Sequence, residues 1–168
     1  ALSYEKSKGH TTNYDVVKLG YNYRMDDIRA SIGLVQLSKF KQQLPIRRKI
    51  RELYISALKS KGIVEIPFED CLEQSSNYIF PVLLPEGFTE EKKEHVRFEL
   101  SMCGIQTTVH YPPAHRFLLY REFSTQSLLM TEEYFARSLT LPFYVGLEQN
   151  DIEFIINKLY ESIRKINK

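Results

Sequence analysis

The chain has 168 residues, of which 43% are hydrophobic and 26% are charged. These proportions are typical of a folded globular protein and exclude an intrinsically disordered one. Its 23 Lys and Arg residues nearly balance its 21 Asp and Glu residues, so the net charge is only +2. Such a balance argues against nucleic acid or an anionic membrane as the main partner. The densest basic run, residues 47–51, is predicted to be a solvated helix face.

Two cysteines, Cys71 and Cys103, are too distant in sequence to form a CxxC motif. They predict reduced thiols in a cytoplasmic protein rather than a disulfide framework. The sequence contains no run of about 18 apolar residues and no basic-then-apolar leader, so neither a membrane span nor a signal peptide is predicted. Because the chain starts at Ala1 rather than at Met, we expect a processed chain or part of a longer one.

The N-terminal region predicts a connecting segment followed by a helix. Residues 1–19 show no sustained hydrophobic period and predict an irregular segment. A helix is predicted from Asp26, since carboxylates favour a helix N-terminus. We expect this helix to be covered by protein on two sides. Its apolar residues are Ile28, Ile32 and Val35 on one side, and Ala30, Leu34, Leu37 and Leu44 on roughly the opposite side.

The middle of the chain alternates predicted helices and strands. Pro45 is predicted to break or kink the first helix, and a second helix resumes at Ile50. Strands are predicted at residues 63–66, in "NYIFPVLLP" and at residues 105–109. Pro81 cannot donate to a ladder, so it predicts a sheet edge or a local break in its strand.

Two further helices are predicted on either side of the last of these strands. Thr89 predicts an N-cap, and the helix that follows ends at Gly104. Its predicted inner face is Val96, Leu100 and Cys103. A shorter helix is predicted around residues 132–138.

The final helix has the clearest pattern in the chain. A single apolar stripe predicts that it packs on one side only. The stripe is Ile152, Ile155, Ile156, Leu159, Ile163 and Ile166. Together these elements predict an α/β fold, with a helix-packed layer of short strands, in one domain over residues 20–168 preceded by the irregular segment 1–19.

Several kinds of catalytic site are absent from the sequence. The seven glycines are scattered singly, so no glycine-rich loop is present to bind a phosphate. His110 and His115 flank two prolines in "HYPPAH", but their spacing matches no helical ligand pair and no cysteine lies nearby in sequence. A plain loop is therefore favoured over a metal site, and no metal is predicted.

Two segments concentrate Tyr, His, Asn or Arg at the ends of regular elements, where binding groups are often carried. They are "GYNYR", residues 20–24, and "VHYPPAH", residues 109–115. The residues alone leave two interpretations open: binding groups, or turn residues with satisfied polar side chains.

Four blocks, in the same order, resemble the C-terminal part of the pyridoxal-phosphate-dependent nucleotide-sugar aminotransferases of the DegT/StrS group. They are "LGYNYRMDDIRASIGLVQLSKF", "RRKIRELYISAL", "GIQTTVHYPPAH" and "LPFYVGLEQNDIEFIINKL". The resemblance implies the small C-terminal domain of a fold-type I transferase, with a short, mainly antiparallel sheet packed by helices. It also implies a homodimer, a separate N-terminal large domain that carries the cofactor, and a nucleotide-sugar substrate.

The resemblance assigns roles to four residues. Asn22 matches the asparagine that reaches the partner subunit's cofactor phosphate, and Arg24 could face an anionic group of cofactor or substrate. His110 and Tyr111 border the implied substrate site. For His110, a role in capping its loop remains the alternative.

The family's cofactor lysine has no counterpart in this sequence, because it precedes the first block and nothing before Leu19 resembles its segment. The resemblance therefore implies a C-terminal portion that transfers no amino group and holds no cofactor by itself. In the whole enzyme, an amino acid such as glutamate would donate its amino group to a nucleotide-linked keto-sugar. The alternative is a non-catalytic binding or regulatory module derived from that domain.

Overall fold

The computed structural model describes residues 20–21, 23–71, 75–123 and 128–166. The chain divides into two compact units, residues 1–37 and 38–168, and each is described by itself. The predicted irregular segment 1–19 lies outside the described residues.

The first unit contains the start of helix α1 (Asp27–Lys61). The Asp26 carboxylate accepts the backbone N–H of Arg29 at 2.8 Å and pairs with its guanidinium at 3.2 Å, so the predicted acidic N-terminus is confirmed. The described residues cover neither apolar side of this part of the helix: Ile28 is 74% exposed and Leu34 is 68% exposed. The expectation of cover on two sides is therefore not met by the residues that the structure describes.

The prediction that Pro45 interrupts the helix with a separate second helix is wrong, because α1 continues through Pro45 to Lys61. A proline removes one backbone N–H, which leaves the carbonyl four residues earlier without its helical partner. That carbonyl belongs to Lys41, which is exposed together with Pro45. Water can therefore solvate the carbonyl, so the lost hydrogen bond does not end the helix.

The second unit is built on two antiparallel strands, β1 (Phe80–Leu83) and β2 (Ser138–Leu141). Phe80 lies opposite Leu141, and Leu83 lies opposite Ser138. Single bridges extend the layer on both edges, from Glu65 to Leu83 and from Thr108 to Thr140. The strands predicted at 63–66 and 105–109 are therefore reduced to one bridge each.

The prolines explain why the first of these bridges does not lengthen into a strand. Glu65 and Leu83 exchange both backbone hydrogen bonds, at 3.0 and 2.9 Å. The next hydrogen-bonded pair of such a ladder would join Pro67 to Pro81, and neither has an N–H to donate. Near the second bridge, the carbonyl of Thr107 accepts a side-chain bond from Arg97 at 3.3 Å instead of a ladder bond.

Three more helices pack around this layer: α2 (Glu90–Met102), α3 (Leu129–Arg137) and α4 (Gln149–Ile166). Thr89 caps α2 by accepting the N–H of Lys92 at 3.3 Å, as predicted. Val96 and Leu100 are buried, but Cys103 is exposed. Its predicted place on the inner face is wrong, because the helix ends at Met102 and Cys103 belongs to the turn before Gly104, which has φ +77°.

The core of the second unit joins the strands to the inner faces of the helices. Tyr54 is fully buried and stacks on Phe80 with ring centroids 4.7 Å apart. The predicted stripe of α4 is confirmed, with its members from Ile152 to Ile163 buried. The predicted solvated face at residues 47–51 is wrong in part, since Arg51 is buried and donates to the carbonyl of Phe68 at 2.7 Å. None of the described helices is long and apolar enough to cross a membrane.

Candidate functional site

The site residues predicted in the first unit lie just before α1. Asn22 is outside the described residues. Arg24 is exposed in the non-helical stretch that leads into the helix. Tyr21 and Tyr23 are both more than four-fifths exposed, and their ring centroids are 5.9 Å apart. This short segment thus offers a guanidinium and two phenols to its surroundings.

His110 and Tyr111 lie together in the second unit, directly after the bridge made by Thr108. The Nδ1 atom of His110 is 3.0 Å from the hydroxyl of Thr140 and 3.4 Å from that of Thr108. The Tyr111 ring meets the imidazole edge-on, with centroids 4.8 Å apart and an interplanar angle of 82°, and the peptide bond between the two residues is cis. His110 is half-buried, whereas Tyr111 is 73% exposed.

A charged cluster anchors the chain just after these two residues. His115 Nε2 lies 2.5 Å from a carboxylate oxygen of Glu132, at the start of α3. Arg116 binds the same carboxylate and also Glu90, at 2.7 Å, at the start of α2. The "HYPPAH" segment is therefore fixed at its C-terminal end to two helices, and His115 is engaged by a carboxylate and not by His110.

The electrostatics of this cluster keep Glu132 ionised. Hydrogen bonds from Arg116 and then from His115 hold the pKa of the Glu132 carboxyl at about 2, well below its ordinary value. The same carboxylates, Glu132 and Glu90, raise the pKa of the Arg116 guanidinium. The cluster is a set of ion pairs that orients a loop. Within the described ranges, no group of three or more His, Cys, Asp or Glu side chains could hold a metal.

Sequence reasoning missed a buried lysine next to this cluster. Lys93 is 1% exposed, its Nζ donates to the carbonyl of Phe135 at 2.5 Å, and it lies 4.0 Å from the centroid of that ring. Burial lowers the pKa of its ammonium group. A lysine with a lowered pKa suits nucleophilic chemistry, but this one is closed off from any ligand. Lys93 lies within the polar run of residues 90–95, but its spacing of three and seven residues from Val96 and Leu100 places it on the helix face that they bury.

The sequence also gave no signal for Thr140. This residue is 5% exposed in β2 and supplies the shorter of the two hydroxyl contacts to His110. The contact depends on the pairing of residues 108 and 140 across the sheet, and such long-range pairing is not visible in a local pattern.

Comparison with known proteins identifies the class to which this fold and these residues belong. The sequence model of the DegT/DnrJ/EryC1/StrS aminotransferase family matches residues 2–160. The chain belongs to this family, as the four sequence blocks predicted.

Individual relatives agree with that assignment. The chain is 30% identical over 157 residues to UDP-4-amino-4,6-dideoxy-N-acetyl-beta-L-altrosamine transaminase of Campylobacter jejuni, covering 92% of this chain and 41% of the relative. Its fold matches Helicobacter pylori PseC, an aminotransferase involved in the biosynthesis of pseudoaminic acid, with a TM-score of 0.80 at 24% identity over 94% of this chain and 42% of PseC. It also matches NtdA of Bacillus subtilis with bound cofactor PMP, with a TM-score of 0.73 at 27% identity over 92% of this chain and 36% of NtdA.

Two facts follow from these matches. The fold is that of a domain of the fold-type I aminotransferases, as predicted, and the solved neighbours include a putative sugar aminotransferase of Streptococcus pneumoniae in its PLP and PMP forms. The chain spans about two fifths of the length of the curated relatives it matches.

Proposed function

We propose that this chain is the C-terminal small-domain portion of a pyridoxal-phosphate-dependent transaminase. That enzyme transfers an amino group from an amino acid such as glutamate to a nucleotide-linked keto-sugar. The observation that carries the proposal is the family match over residues 2–160 in a chain that covers only 41% of its transaminase relative. The proposal includes a separate N-terminal large domain, a homodimer and a cytoplasmic location.

Within that enzyme, the residues of this chain bind and orient. Pyridoxal phosphate, when bound, supplies the electron sink for amino transfer. The side chains that fit its anionic groups, or those of the substrate, are the amide of Asn22 and the exposed guanidinium of Arg24. His110 and Tyr111 offer an imidazole and a phenol that suit a diphosphate, and the ion pairs of Arg116 hold their loop in place.

The buried lysine of α2 does not fit the role of the cofactor lysine. Burial lowers the pKa of the Lys93 ammonium group, but this group is enclosed against Phe135. We therefore propose that the chain by itself neither holds the cofactor covalently nor transfers an amino group. The large domain would supply that lysine.

A borohydride trapping experiment tests this proposal. The chain is titrated with pyridoxal phosphate, reduced with borohydride and mapped by peptide mass spectrometry. We expect at most scattered, substoichiometric labelling of exposed lysines. A stoichiometric adduct at one lysine would overturn the proposal.

The reading frame upstream of Ala1 separates the proposed function from a derived binding or regulatory module. A lysine-containing, cofactor-binding segment encoded there in frame supports the transaminase. A start codon immediately before Ala1 would support the module.

A further inference from the structure

The hydrogen bonds around Thr140 determine which nitrogen of His110 carries the proton. A neutral imidazole has one N–H donor and one acceptor nitrogen, and the partner of one nitrogen fixes the state of the other. His110 Nδ1 faces hydroxyls, at 3.0 Å from Thr140 and 3.4 Å from Thr108. A hydroxyl can donate or accept, so the tautomer depends on where each hydroxyl proton goes.

Few acceptors are available for the proton of the Thr140 hydroxyl. Its backbone N–H and carbonyl are both engaged with Thr108, at 2.8 and 3.1 Å, and the residue is 5% exposed. Among the residues that the structure describes, His110 Nδ1 is the hydrogen-bond partner of its hydroxyl. Because a buried hydroxyl proton without an acceptor is costly, these surroundings favour donation from the Thr140 hydroxyl to Nδ1. The side chain of Thr108 is exposed, so its hydroxyl can bond to water.

We propose that Thr140 is a positioning residue that holds His110 in the tautomer with its proton on Nε2. The ring then presents Nε2–H, a donor without a net charge, on the side away from the two threonines. The edge-on contact with Tyr111 restrains the plane of the ring. This inference rests on the proposed function, in which that donor meets an anionic oxygen of a nucleotide-sugar diphosphate.

Nitrogen NMR of the 168-residue chain labelled with ¹⁵N-histidine tests the inference, at about pH 8.5, well above the usual histidine pKa of about 6.5. We expect the wild type to carry the proton on Nε2. Thr140→Val keeps the shape and removes the hydroxyl, and it should shift the tautomer ratio toward Nδ1–H by roughly two- to tenfold, the range that one neutral hydrogen bond supplies. Thr140→Ser should restore the wild-type signals.

Thr108→Val is the matched control, and it should leave the ratio nearly unchanged. The backbone amide spectrum verifies that each variant folds. If Thr140→Val does not fold, the test rests on the other two variants: Thr140→Ser should keep the wild-type ring signals, and Thr108→Val should keep the wild-type tautomer ratio. A proton on Nδ1 in the wild type would overturn the inference. So would unchanged ring signals in folded Thr140→Val, or a Thr108→Val effect as large as that of Thr140→Val.

Uridine diphosphate provides a separate test of the substrate role. Adding it to the labelled chain should shift the Nε2 signal of His110 more than the ring signals of His115. If the tautomer is as proposed and the diphosphate leaves Nε2 unmoved, the substrate role of His110 is wrong while the role of Thr140 stands. The two failures are therefore distinguishable.

Discussion

Tyr54 shows how one polar atom is accommodated in the core. Its ring is fully buried on Phe80, and its hydroxyl donates to the carbonyl of Pro142 at 2.9 Å. Tyr54→Phe keeps the ring and removes the bond, so we expect the free energy of unfolding to fall by about 1 kcal/mol, measured by urea denaturation. Tyr160→Phe, which removes only an exposed bond from Arg164, should change it by much less. Equal losses in the two variants would contradict this account.

Because the Tyr54 hydroxyl is buried, we also expect the stability of the fold to fall at alkaline pH. Burial raises the pKa of the Tyr54 hydroxyl above its ordinary value of about 10. Above that pH the unfolded chain loses the proton while the folded chain keeps it, so stability falls as pH rises. The stability difference between wild type and Tyr54→Phe should therefore narrow between about pH 8 and pH 11. A constant difference over that range would show that the hydroxyl is not buried in solution.

The most specific expectation that the family resemblance implies concerns Asn22. In an intact enzyme containing this chain, Asn22→Ala should remove one hydrogen bond to the cofactor phosphate. Bonds to charged groups contribute roughly 1.5–3 kcal/mol, which corresponds to about ten- to a hundredfold in cofactor affinity. The melting temperature of the cofactor-free enzyme should hardly change. Unchanged affinity with a lowered melting temperature would identify Asn22 as a turn or capping residue instead.

At the scale of elements, helix α1 carries an internal proline that tertiary packing tolerates. Pro45→Ala restores a backbone N–H that can bond to the carbonyl of Lys41. Alanine exceeds proline in helix propensity by about 3 kcal/mol in a helix interior, a difference that already includes the freedom of the unfolded chain, and the exposure of Pro45 and Lys41 to water reduces the gain here. We expect a net stabilisation of about 2 kcal/mol in denaturant titration. Gln42→Ala, exposed one turn earlier, should have little effect, and a destabilised Pro45→Ala would contradict the expectation.

Sequence periodicity predicted the helices better than it predicted the strands. The stripe of α4 and the cap at Thr89 are local features, and both were correct. The continuity of α1 through Pro45 depends on the exposure of Pro45 and of the Lys41 carbonyl, which the folded chain sets. The single bridges at Glu65 and Thr108 depend on the alignment of residues far apart in the chain. Local pattern contains neither kind of information.

In the candidate site, too, the local sequence indicates some residues, whereas contacts between distant parts of the chain determine others. His110 and Tyr111 stand out because of their composition, between a predicted strand and two prolines. The residue that orients His110 lies in a different strand, 30 positions later. The ion pairs that fix the loop likewise join Arg116 to Glu90 and Glu132, on two other helices.

At the scale of the whole molecule, the exposed start of α1 predicts self-association. Ile28, Ile32 and Val35 on one side of the helix, and Leu34 on the opposite side, are each at least half exposed, and large exposed apolar surfaces mark sites of association. Sedimentation of the chain should show concentration-dependent association. Ile32→Lys should weaken it, whereas Phe154→Lys, on exposed α4 surface, should not. A clean monomer at high concentration that binds no hydrophobic dye would contradict the prediction.

The position of α4 at the end of the described chain has a consequence during synthesis. Its buried stripe completes the core that begins with β1, yet roughly 80 residues separate the end of β1 from the end of α4. At about 5–20 residues per second, a ribosome needs roughly 4–16 s to make that stretch. Throughout this interval β1 and α2 lack part of their apolar cover, so we expect the nascent chain to bind chaperones at this stage, and a chain that stops before Ile152 to be degraded faster than the whole chain.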